Sequence, residues 1–177
     1  MYKKRVLYLF IIILAIIFTS CSGENEKIKY SAPTTSQVNE FISKNSLNVL
    51  SIKETSDFTI VLYQNDNSYG HYVLYKDQKN QLYSPGVKVD GNPKESKVSL
   101  GGVASGNTPF VTIIINDKDI LQKAKEVKIT FTDGTVVSEE ILGEGTIVLN
   151  HNEINKEPLS YTELIIYDKD MIKLYEN

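Results

Sequence analysis

The chain has 177 residues, 19 of them basic and 22 acidic, for a formal net charge of −3, with one cysteine, eleven tyrosines and no tryptophan. Its only arginine is Arg5, so the rest of the chain lacks the planar guanidinium that grips phosphate or reads guanine, and nucleic acid is not an expected partner. A single cysteine forms no intrachain disulfide, so packing must hold the fold together.

The N-terminal segment has the layout of a secretory leader. Lys3, Lys4 and Arg5 are positive, Val6 to Phe18 is apolar without interruption, and Thr19-Ser20-Cys21-Ser22-Gly23 is small and polar. As a helix the apolar stretch spans roughly 20 Å, short of the roughly 30 Å hydrocarbon core. The run into Cys21 resembles the lipobox of bacterial lipoproteins, with Phe18 at position −3 where leucine is more usual. The resemblance implies that residues 1–20 are a signal peptide, that Cys21 carries a diacylglyceryl thioether, and that the protein is held to the outer side of a cell membrane by lipid. An ordinary signal peptide would leave Cys21 as a lone thiol outside the cell, a chemical liability that makes lipidation the better account. Without the leader 157 residues remain, enough for one large or two small domains, with a net charge of −6. Abundant Ile, Lys and Asn with scarce Arg and Trp point to an AT-rich genome and a Gram-positive host.

Residues 21–34 are polar and without periodicity, as expected of a flexible tether. Val38, Phe41 and Ile42 then follow helical spacing, and Thr34 to Gln37 has the spacing of a capping box, predicting a short helix that ends near Asn45. Beyond it the pattern alternates with period two. Leu47 to Ile52, Phe58–Tyr63 and His71–Tyr75 read as strands of an antiparallel meander, with turns at Asn65 to Gly70 and Asp77 to Asn80, and a shorter strand at Gln81–Tyr83. Breaks at Ser84-Pro85-Gly86 and Asp90-Gly91-Asn92-Pro93 place a boundary between a helix-plus-meander module, 35–93, and a second module, 94–177.

The second module holds seven candidate strands: Lys97–Gly101, Pro109–Ile115, Val127–Thr132, Thr135–Glu140, Thr146–Leu149, Tyr161–Tyr167 and Met171–Tyr175. Asp133-Gly134 predicts a tight primed hairpin turn, and Asp117 to Lys125 a helical turn crossing between sheets. Seven short strands at this spacing predict an immunoglobulin-like β-sandwich, without the Cys…Trp…Cys signature of antibody domains. The fold class is therefore mainly β.

No catalytic motif accompanies the two histidines: His71 opens a strand and His151 lies in an Asn-rich loop. Asp117/Asp119 and Asp168/Asp170 could point oxygens at calcium, but Asp also bonds its own backbone at turns, which is the better account. Glu139, Glu140 and Glu144 invite a glycosidase reading, although adjacent acids on a strand face opposite ways. The glycines of Leu100 to Gly106 lack the lysine and helix of a phosphate-binding loop, and read as a loop or bulge. No cofactor or metal is expected. Tyr63, Tyr69, Tyr72, Tyr75 and Tyr83 crowd the meander, and the first four are candidates for an aromatic face binding glycan or peptide. The expectation is a lipid-anchored, non-catalytic binding protein of the cell envelope, its partner a wall glycan or an envelope protein. Alternatives are a wall or glycan hydrolase with an unrecognised carboxylate pair, and a structural spacer or assembly subunit with an edge strand open to pairing.

Overall fold

In a computed structural model, which describes residues 29–92, 95–103, 108–150 and 160–177, the first regular element is α1 (Thr35–Lys44). Its start is chemical: Thr34 Oγ1 accepts from the Gln37 amide at 3.3 Å, and Gln37 Oε1 accepts from the Thr34 amide at 2.9 Å. This reciprocal capping box satisfies two of the amides that a helix start leaves unpaired. Asn45 closes the other end, its amide bonding the Phe41 carbonyl. The apolar stripe of α1 buries Val38 against Val61 and Leu74, with Phe41, Ile42 and Tyr72 packed around them.

The surface under α1 is an antiparallel sheet of β1 (Val49–Glu54), β2 (Thr59–Asn65) and β3 (Ser68–Lys76), with β4 (Leu82–Tyr83) and β5 (Gly86–Asp90) paired in succession along the outer edge of β3. The β2–β3 turn is only Asp66-Asn67, because Ser68 to Gly70, expected as turn residues, pair with Gln64 and its neighbours. Strand β5 was not expected. Pro85 and Gly86 read as breakers, yet Gly86 is a paired residue whose missing Cβ makes room for Tyr72: a side chain there would stand 2.5 Å from the Tyr72 ring.

The second half forms two sheets. In one, β10 (Gly145–Leu149), β7 (Phe110–Ile115) and β6 (Val98–Val103) pair in that order; in the other, β12 (Lys173–Glu176), β11 (Tyr161–Asp168), β8 (Ala124–Phe131) and β9 (Val136–Glu140) do. All pairs are antiparallel, and the short helix α2 (Lys118–Lys123) carries the chain from one sheet to the other. With β6, β7 and β10 facing β9, β8, β11 and β12, the order and crossings are those of an immunoglobulin-like sandwich. Gly134 alone in the β8–β9 loop has a positive φ, of 83°, and Phe131 bonds Thr135 across it. The loop is thus a three-residue hairpin with glycine in the left-handed position rather than a two-residue primed turn. The strand expected over Lys97–Gly101 runs on to Val103, so Gly102 and Val103, expected in a loop or bulge, pair with Val111 and Phe110.

The middle sheet is buried on both faces, which explains why β7 is apolar almost throughout instead of alternating. Val111, Ile113 and Ile115 face Val127, Ile129, Phe131, Leu164 and Ile166 of the outer sheet. Phe110 and Ile114 face the other way, onto Ile60 and Leu62 of β2, together with Ile147 and Leu149 of β10. The layers thus run helix, sheet, sheet, sheet. The boundary expected near Pro93 falls outside the described residues, as do the leader, Cys21 and His151.

Candidate functional site

The four candidate tyrosines do not share a face. On β2, Ile60 and Leu62 point to the middle sheet, so Val61 and Tyr63 point to α1; on β3, Tyr72 and Leu74 point to α1, and Tyr69, His71 and Val73 to the middle sheet. Tyr63 is 1% exposed and stacks on Tyr72 at 5.5 Å, and Tyr72 meets Phe41 edge-on at 5.1 Å. Burial, reinforced by the neighbouring Tyr72 hydroxyl, pushes the Tyr63 phenol up to about 12. Tyr63 and Tyr72 therefore seat the helix. Tyr69 packs against the core formed by β2, β7 and β10.

Tyr75 belongs to a different group. Its ring stacks on Tyr83 at 5.4 Å with an interplanar angle of 13°, and Tyr30 meets it edge-on at 4.9 Å. The backbone assembles the trio: Tyr75 and Tyr83 are direct cross-strand partners, and Ser31 exchanges amide–carbonyl bonds of 3.0 and 2.9 Å with Lys76, drawing Tyr30 over Tyr75. Among the described residues none of the three rings belongs to a core cluster, and Tyr30 is 47% exposed. Beside them, Asp77 accepts from the Lys79 and Gln81 amides and, at 3.2 Å, from the Tyr83 hydroxyl. Those donors, the Gln81 amide foremost, hold the Asp77 carboxyl below its ordinary range; desolvation and the adjacent Asp77 charge push the Tyr83 phenol up. The result is a small aromatic surface with one fixed carboxylate. Tyr30 escaped sequence reasoning because it sits in the polar tether, and only the long-range Ser31–Lys76 bridge puts it against Tyr75.

A second feature lies between the first and middle sheets, where His71 is 2% exposed with its ring edge-on to Phe110 at 5.1 Å. Burial holds its imidazole below the usual 6.5. The adjacent cavity of about 30 Å³ is lined by Thr112, Ser99, Gly101 and Val87 as well as His71, and holds about two water molecules at most. A Cβ on Gly101 would stand 2.8 Å from Thr112 Oγ1 and 3.9 Å from His71 Nδ1, so the cavity exists because residue 101 has no side chain.

The carboxylate pairs are turn builders. Asp117 Oδ1 accepts from the Asp119 and Ile120 amides and caps α2; Asp168 Oδ1 accepts from those of Asp170 and Ile172. Glu139 lies 2.8 Å from Lys53 Nζ, an ion pair joining β1 to β9, and Glu140 is exposed opposite Glu126. Among the described residues no group of three or more His, Cys, Asp or Glu is placed to hold a metal, and no helix is long and apolar enough to cross a membrane. No protein-family model, curated protein or solved structure matches this chain.

Proposed function

We propose that the protein is a lipid-anchored binding module of the cell envelope, held through Cys21, whose ligand surface is the Tyr30–Tyr75–Tyr83 cluster. The observation that carries this reading is that three aromatic rings are gathered by long-range pairing and left outside the core clusters of the described residues. Rings that do not stabilise a core are suited to stacking on a sugar face or an extended peptide, while the hydroxyls and Asp77 bond polar groups. Tyr30 lies nine residues after Cys21, so the cluster stands within about 32 Å of a lipid on that residue, even with the chain fully extended. A wall glycan or envelope protein near the membrane is the corresponding partner, and the reading assigns no catalytic step.

Two measurements test it. Mass analysis of the membrane fraction should find lipid on Cys21, and Cys21→Ala should be shed into the medium. Co-sedimentation with purified cell-wall material should be lost in Tyr75→Ala and Tyr83→Ala; natural protein that does not bind, or variants that bind equally well, would remove the cluster as the site.

A further inference from the structure

Among the described residues strand β5 is an open edge. All five of its residues are exposed, among the described residues it pairs only with β3, and that pairing runs Ser68↔Asp90 to Tyr72↔Gly86 without a bulge. The ladder shows which backbone groups are free to bond outward. Gly91 donates to the Asn67 carbonyl at 3.0 Å and Val73 to the Pro85 carbonyl at 2.8 Å, so the odd-numbered residues of β5 bond inward to β3. Gly86, Lys88 and Asp90 therefore turn their amides and carbonyls away from the sheet. Side chains divide as cleanly: Lys88 and Asp90 share one face, 2.7 Å apart, while Val87 and Val89 share the other, 49% and 40% exposed beside the His71 cavity.

We propose that β5 pairs antiparallel with β5 of a second copy of this chain, forming a two-fold dimer through a continuous sheet. Self-pairing must join outward-facing even residues to outward-facing even residues, which permits only a few registers. Lys88 opposite Lys88 sets like charges against each other. Lys88 opposite Asp90 of the second copy is the complementary choice, and symmetry repeats it as Asp90 opposite Lys88. In that register Val89 faces Val89 of the second copy on the other side of the sheet, covering apolar surface now half in water. Native edges are usually blunted by an unpaired charge, a bulge or a covering element. On β5 the lysine is already neutralised by Asp90 and the pairing is regular, so the edge keeps its capacity to add a strand.

Cysteine cross-linking reads this register directly. In full-length protein carrying Cys21→Ser, held in mild detergent, Val89→Cys introduces the sole thiol. Opposed non-hydrogen-bonded residues have Cα atoms about 4.5 Å apart, within disulfide range, so an added oxidant should convert this variant to a covalent dimer. Val87→Cys, whose copies would lie roughly 13 Å apart in the same register, should stay monomeric. Adding Lys88→Asp to Val89→Cys turns two cross-strand pairs repulsive and should lower the yield on the order of tenfold. Adding Asp90→Lys as well restores complementarity and should restore the dimer. Failure of Val89→Cys to cross-link, equal linking by Val87→Cys and Val89→Cys, or no recovery in the double charge swap would each overturn the proposal. These outcomes are independent of whether Cys21 bears lipid or the tyrosine cluster binds a ligand.

Discussion

At the scale of the residue, His71 is the clearest case of a side chain whose chemistry is set by burial. Its imidazole is held below 6.5 because the charged form is poorly solvated between two sheets. The unfolded chain takes up a proton near pH 6.5 that the folded one resists until lower pH. This contribution to stability is therefore complete above about pH 6.5 and declines as pH falls toward the folded pKa, by at most about 1.4 kcal/mol per pH unit. Urea unfolding at pH 8, 7, 6 and 5 should show a loss on the acid side that is smaller in His71→Leu, since comparison with that variant cancels the carboxylates common to both. Parallel pH profiles would refute the assignment. Gly101 is constrained by the same cleft. Gly101→Ala sets a methyl against Thr112 Oγ1 and should cost about 1–3 kcal/mol, read from the same unfolding curves.

At the scale of the element, local chemistry and long-range pairing contribute differently. The Thr34–Gln37 box ties two helix-start amides to side chains, so Thr34→Ala should cost about 1 kcal/mol, seen as a lower melting temperature, and Thr34→Ser much less. The cap was visible in the sequence because it depends on residues three apart. The seven strands of the sandwich were visible for a related reason: alternation and turn residues are local signals. Strand β5 was not: Val87 to Asp90 alternate, but four residues held between the breakers Pro85-Gly86 and Gly91 give too short a pattern to outweigh them, and the pairing comes from the edge of β3. The Lys53–Glu139 pair ties the first sheet to β9, but with side chains 35% and 27% exposed it is well screened. A double-mutant cycle with Lys53→Ala and Glu139→Ala should give a coupling below about 1 kcal/mol.

At the scale of the whole molecule, the middle sheet is the joint. Leu62 is 1% exposed and packs with residues of β7 and β10, so Leu62→Ala should cost about 2–5 kcal/mol even though it lies outside the sandwich. Because the helix-bearing sheet and the sandwich meet in this core, circular dichroism and tyrosine fluorescence should report one coincident transition that moves as a unit in Leu62→Ala. Two separated transitions would show that the halves unfold independently.

The sequence by itself determined the features that depend on neighbours along the chain: the capped helix, most of the strand positions and the sandwich they build. Amphipathic period, capping and turn chemistry act over a few residues, and those residues are contiguous. Only the tertiary structure decided which tyrosines belong together. Alternation puts Tyr72 and Tyr75 on opposite faces of β3, but nothing local shows that α1 covers Tyr63 and Tyr72, or that the Ser31–Lys76 bridge and β4 gather Tyr30 and Tyr83 around Tyr75. The face a side chain shares is set by sheet pairing and by what lies on that sheet, both consequences of contacts between residues far apart in sequence. The same reason hid the His71 cavity, made by a glycine thirty residues away on another sheet, and the edge of β5, which among the described residues pairs with β3 alone.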